Sequence, residues 1–241
     1  MEHTELLNYI THLPLDLPGS LFHDKPKNSG TARVSAASVN HFAEDVPDQI
    51  QKDILNSTLF AQRAANAKYP GDQSGSKEWY NFYTDILSKL GWNILNFRRD
   101  QVDNASASGT CSELVLSLLM GFLSPNEVDL FKDVLEGLKN AKSATKIFES
   151  SANNDKSANF QCGSIRMNGN FAEMKLGVYT FSTTAHIQNV LFWSWKDQTV
   201  NFYAGTATLL FNESMYAKVR EAIMDRLGNN MLDFIDNVPL S

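Results

Sequence analysis

The chain has 241 residues, of which 43% are hydrophobic and 20% charged, with a formal charge of −6. That length allows one large domain or two small ones, with a core that needs no disulfide, and the acidic balance argues against a nucleic-acid partner, which selects for a basic face. Cys111 and Cys162 are too few for a disulfide framework, so a reducing compartment is the simpler reading and leaves at least one thiol for chemistry. The opening MEHTELLNYITHLPLDLP has no basic segment and no long apolar core. No signal peptide is therefore expected, and no apolar run reaches the length of a membrane span. The expectation is a protein cytoplasmic in its producer, with any release and action at host membranes following a route that these residues do not state.

In chain order, residues 1–34 are punctuated by Pro14, Pro18 and Pro26 and by turn-forming residues. They read as an irregular arm in which Leu6, Leu7 and Ile10 form one docking helical turn. Residues 35–46 are ambiguous. Pro47 opens a helix, carried to about Lys68 by Ile50, Ile54, Phe60, Ala61 and Ala64 and ended by Tyr69-Pro70-Gly71. Ser76 is a good N-cap for a helix whose Trp79, Phe82, Tyr83, Ile86, Leu87 and Leu90 form one wide apolar stripe, with Gly91 just past its end. That stripe reads as core packing before it reads as a ligand box. Residues 92–99 alternate as a strand, and 100–109 form a loop.

Thr110 and Glu113 make a capping box before CSELVLSLLMGFL, a helix with almost no polar face. Such a helix is either buried or enters something apolar. Ser124 and Glu127 make a second box with Pro125 at the first helical position. Residues 110–139 thus read as an apolar helical hairpin, in which Leu114, Leu118, Leu119 and Phe122 are candidate lipid contacts. Residues 140–158 read as a basic, small-residue segment and then an exposed loop. Over residues 159–211, four runs rich in β-branched and aromatic residues read as an antiparallel meander, with Asn168-Gly169 as the strongest turn and Asp197-Gln198 as a weaker one. Val190 to Trp195 is almost continuously apolar, which predicts a central strand covered on both faces; Trp193 and Trp195 there are further lipid-contact candidates. Gly205 predicts a bulge or a close approach. Asn212 caps a final helix over Tyr216–Leu227, with a short helix after it. The order predicts one α+β domain over 35–241, with a meander of about five strands packed against several helices.

The five histidines share no ligand spacing, and no HExxH, CxxC, P-loop, GxGxxG or GxSxG motif occurs. Neither a metal nor a dissociable cofactor is expected. Cys162 stands out because it precedes Gly163, which permits close backbone approach. It could serve as a nucleophile, given a lowered pKa and a histidine such as His186, or it could carry an acyl group. As a plain buried thiol it would do neither. Cys111, at the front of the apolar helix, reads as structural or as a second acylation candidate.

Phe160-Gln161-Cys162-Gly163, the NGN turn, LFWSW, TVNFYAGTATLLF and YAKVREAIMDRLG together resemble the Evf-like family of small bacterial virulence factors found in insect-colonising bacteria. The resemblance covers about the last 85 residues; the four tryptophans and the short N-terminal part depart from it. It implies an α/β fold of unusual topology, a palmitoyl thioester on Cys162 and membrane association. Three functions follow. One is a virulence or toxin-like protein acting at host membranes through acyl-Cys162, with membrane lipid or a fatty acyl group as partner. Another is an acyl hydrolase or transferase using Cys162 with His186 and a buried acyl tunnel. The last is a non-enzymatic apolar-ligand-binding or pore-forming protein centred on residues 110–139.

Overall fold

The computed structural model describes residues 2–17, 31–102, 108–197, 199–228 and 231–240. The turns expected around Pro18 and Pro26, His23, part of the 100–109 loop and Gln198 lie outside them. The elements run α1 (His3–His12), β1 (Ala32–Ser35), β2 (Ser38–Phe42), α2 (Asp48–Lys68), α3 (Lys77–Lys89), β3 (Trp92–Gln101), β4 (Ser108–Thr110), α4 (Cys111–Leu119), α5 (Pro125–Asn140) and α6 (Lys142–Ala152). They continue with β5 (Asn153–Asn154), β6 (Ser157–Asn168), β7 (Phe171–Thr183), β8 (Ser194–Lys196), β9 (Val200–Phe211), α7 (Glu213–Tyr216), α8 (Arg220–Leu227), α9 (Met231–Phe234) and β10 (Ile235–Asn237).

The main sheet has the order β10-β1-β2-β6-β7-β9-β3, with β5 added beside β6. Every pairing in it is antiparallel except that of β2 with β6. The fold is α+β, as expected, but the sheet is wider than a five-strand meander and helices cover both of its faces. Alternation along the strands sorts the two cores. Ile165, Met174, Leu176, Val178, Leu209 and Phe211 pack with α1, α2, α3 and α8. Val39, Phe160, Cys162, Tyr179, Phe181 and Phe202 pack with α4, α5 and α6. On α3, Trp79 stacks on Tyr83 at 5.2 Å and the indole donates to Asn66 Oδ1 at 2.8 Å, so the aromatic stripe is core packing. Each such fully buried apolar ring is worth roughly 1.5–3 kcal/mol.

A polar seam runs beneath α2 and α3. Ser38 Oγ donates to Gln161 Oε1 at 2.9 Å, Gln62 Nε2 donates to Ser38 Oγ at 3.0 Å, and the Tyr83 hydroxyl donates to Gln161 Oε1 at 3.2 Å. These bonds span β2, β6, α2 and α3, so they pin the register of the parallel pair: a one-residue slip would turn Ser38 and Gln161 to opposite faces.

Several expectations are corrected. The apolar run from Val190 is no central strand. Asn189 takes a left-handed backbone conformation (φ 55), a single 3-10 turn covers Val190–Phe192, and β8 pairs only with β4, off the main sheet. An apolar run of that length reports burial and leaves the backbone state open. The ambiguous 35–46 segment forms β2, and β1 begins inside the expected arm, at Ala32. Their connection turns at Ala36, with φ 48, a turn that no Gly, Asn or Asp announces. Helix α6 forms from the basic, small-residue segment and takes in the first residues of the stretch expected to be an exposed loop. The final helix is broken into α7 and α8, and β10 follows α9. At the N-terminus α1 is a ten-residue helix with Ile10 fully buried.

Candidate functional site

Cys162 lies on β6, the fourth strand of the seven-strand path, in register with Val39 of β2 and Gly177 of β7. Paired residues share a sheet face, so its side chain belongs to the α4–α6 core, where it is fully buried. Gly177 leaves room that the Tyr179 hydroxyl takes; a Cβ at 177 would collide with it. Alternation along the run sets Tyr179 with Glu173 and Lys175 on the wetter face, yet its side chain is buried. The signal was the glycine inside the run MKLGVYT, which marks a close approach. Among the described residues the Tyr179 hydroxyl, which is buried, has no hydrogen-bond partner.

Cys111 opens α4 in the same core. Its amide donates to the Trp193 carbonyl at 2.9 Å, which ties the helix start to the tryptophan segment. Burial pushes both thiols up. At Cys111 the neighbouring Cys162 and then Glu149 add to the effect. Tyr179 is raised by burial first and then by Cys162, Cys111 and Tyr80. Burial likewise pushes the Glu149 carboxyl up to about 7, against hydrogen bonds from the Val190 amide and the Asn153 side chain. This is a setting for neutral groups, which keeps a thiol protonated and does not activate a thiolate.

His186 is mostly exposed and paired with Asp155. Asp155 lies in the turn before β6, and Cys162 sits five residues up that strand from Ser157, roughly 17 Å at ~3.3 Å per residue. The two predicted partners are not brought together. His41 is nearer, on β2 opposite Ser164. Burial lowers its pKa, opposed by Glu127.

A cavity of about 330 Å³ lies between the α4–α5 turn and the sheet, lined by Leu118, Phe122, Val102, Tyr179, Arg98 and Thr206 among others. Among the predicted lipid contacts, Leu119 is fully buried and Leu114, Leu118 and Phe122 are half-buried. Trp193 and Trp195 are 8% and 4% exposed. They continue an aromatic file: Phe160 stacks on Tyr179, Phe181 on Phe202 and on Trp193, and Trp193 on Trp195. In this conformation the tryptophans are core. The α4 leucines face partly outward, and Met120 beyond them is 61% exposed. Helix α4 is therefore neither enclosed all round nor a free apolar rod. Among the described residues no helix is long and apolar enough to cross a membrane, and no group of His, Cys, Asp and Glu has the arrangement of a metal site.

The sequence matches no protein-family model and no curated protein. Among solved structures, the chain is similar to the Evf virulence factor at 12% identity and a TM-score of 0.36, over 94% of this chain and 90% of that one. It is similar to a delta-endotoxin at 11% identity and a TM-score of 0.42, covering 80% and 91%. It is also similar to the activated Cyt2Ba monomer of Bacillus thuringiensis subsp. israelensis at 10% identity and a TM-score of 0.38, covering 73% and 95%.

Proposed function

We propose that this chain is a virulence or toxin-like protein that associates with membranes and carries a fatty acyl group as a thioester on Cys162. The observation that carries the reading is the setting of that thiol. It is fully buried on the α4–α6 face of a central strand, in the layer whose cavity is bounded by Leu118, Phe122 and Tyr179. A thioester is neutral and escapes the burial penalty a thiolate would meet there. Its formation replaces Sγ–H by Sγ–C(=O) at the expense of an activated acyl thioester, whose own thiol leaves with the proton. One acyl chain gives only marginal membrane binding; the half-exposed Leu114, Leu116 and Leu118 of α4 supply a second apolar contact. The virulence part of the reading follows the resemblance of the C-terminal sequence to Evf-like proteins.

Intact mass before and after neutral hydroxylamine tests this reading. A fatty acyl increment that hydroxylamine removes, and that Cys162→Ser lacks, is expected. Co-flotation with phosphatidylcholine vesicles should be lost in the same variant. Protein with the mass of the bare sequence, floating as well with serine as with cysteine, would sink the reading.

A further inference from the structure

A second cavity, of about 420 Å³, lies at the other end of β6 from the α4–α5 turn. That volume falls within the range of small-molecule sites. It exists because β2 pairs with β6 only from Gln161 to Ile165. Among the described residues, the start of β6 therefore projects past its neighbour, flanked on that side only by the two residues of β5. The end of α2, the turn at Gly71 and the end of α6 close the notch.

Its wall is made chiefly of carboxamides and hydroxyls, among them Asn66, Ser74, Ser151, Asn153 and Asn159. Several of these are held in place from behind. Asn159 Oδ1 accepts from the Tyr80 hydroxyl at 2.7 Å while its Nδ2 donates to Ser74 Oγ at 3.1 Å, and Asn66 Oδ1 accepts from the Trp79 indole at 2.8 Å. A site with its polar groups already oriented spends less on ordering when a ligand arrives.

Among the described wall residues the charges cancel. Arg63 donates through Nη2 to Asp16 Oδ2 at 2.6 Å and through Nε to the Asp16 carbonyl, and its guanidinium stacks 4.5 Å from the Phe234 ring centroid. An anion would find no uncompensated cation here, and an apolar ligand would strand the amides. From this lining we infer a binding site for a neutral polyhydroxylated ligand, a sugar unit, in the notch between α2, α6 and the start of β6. This inference does not depend on Cys162.

Saturation-transfer NMR and calorimetric titration would test it, using glucose, galactose, mannose, N-acetylglucosamine and myo-inositol, with inorganic phosphate as the charged comparator. At least one sugar should saturate the wild-type protein, and Cys162→Ser should bind it equally well. Ala67→Leu, which fills the cavity from α2, should abolish binding. Phosphatidylcholine vesicles with and without a glycolipid bearing that sugar then assign the source. Recruitment by the glycolipid points to a membrane glycan, and binding of the free sugar alone points to a soluble one. Failure of every sugar to saturate, preference for phosphate, or binding that survives Ala67→Leu in a protein with a wild-type melt would overturn the inference.

Discussion

Replacing Glu127 by glutamine isolates one charge at the joint between α5 and the sheet. The carboxylate accepts from the Ser124 amide at 2.8 Å and from the Ser124 hydroxyl at 2.7 Å, closing the capping box. It also meets Lys175 Nζ at 3.1 Å, and Ser164 Oγ donates to it at 3.3 Å. Burial alone would raise its pKa, but the Ser124 hydroxyl and amide and the Lys175 ammonium outweigh that and hold it at about 2. Glutamine still serves a capping box, so Glu127→Gln removes the ion pair and leaves the cap. From an ordinary 4.5 to about 2 corresponds to roughly 3 kcal/mol at full strength. A helix end open to water screens this to about 1–2 kcal/mol. Because the folded pKa lies below the unfolded one, the contribution is complete above about pH 4.5 and disappears as the pH falls towards 2. Urea titrations should therefore place Glu127→Gln about 1–2 kcal/mol below wild type at pH 7, with the two curves converging near pH 2. A deficit of the same size at both pH values would mean that the loss is steric. No deficit at pH 7 would mean that the Lys175 pair contributes nothing.

Glu149 has the opposite sign. With its pKa raised to about 7 by burial, the carboxyl disfavours folding increasingly as the pH rises from 4.5 through 7. Glu149→Gln should then be about 1 kcal/mol more stable than wild type at pH 8, after discounting for partial exposure, and no more stable at pH 4.5; equal melts at pH 8 would refute the burial argument. Gly137→Ala would ordinarily stabilise α5 by about 1 kcal/mol. Here the added Cβ would run into the Pro239 backbone carbonyl, so the melting temperature should fall, by a few degrees per kcal/mol for a chain of this size, and a rise would show that the C-terminal segment is not seated on α5. Wherever they are free, the Cys111 and Cys162 thiols should react with an aromatic disulfide reagent at pH 8 only when the chain is unfolded by denaturant, since both are buried with raised pKa values; fast labelling of the native protein would contradict the burial of the site.

Where the chain states its own geometry locally, the structure follows it. Ser76, Thr110, Ser124 and Asn212 are N-caps accepting from the backbone amides expected of them. Gly91 is left-handed past α3, and Gly205 lies against the β3 backbone. These features each depend on residues within a few positions, or on one missing side chain. What stayed hidden depends on partners far along the chain. The parallel pairing of β2 with β6 joins segments more than a hundred residues apart through a strand that carries Asn40 and His41, both buried, and the β1–β2 turn is made by alanine.

The same distinction governs the site. Cys162 is conspicuous in QCG, but its chemistry depends on which sheet face it takes, and parity alone decides that. Its neighbour Gln161 looks onto the polar seam of Ser38, Gln62 and Tyr83. A cysteine shifted by one residue would have hydroxyl and amide neighbours, and a thiolate there would meet hydrogen-bond donors. At 162 it meets Val39, Gly177 and the core beneath α4, where a neutral thiol is favoured over a thiolate. The register that fixes this parity comes from β7 and β2 together, so a nearby cysteine and histidine in the sequence carried no information about their meeting. His186 ends on the exposed turn with Asp155, while the groups that do border Cys162, Tyr179 over Gly177 and Cys111 at the start of α4, come from a strand and a helix whose approach only the assembled sheet defines.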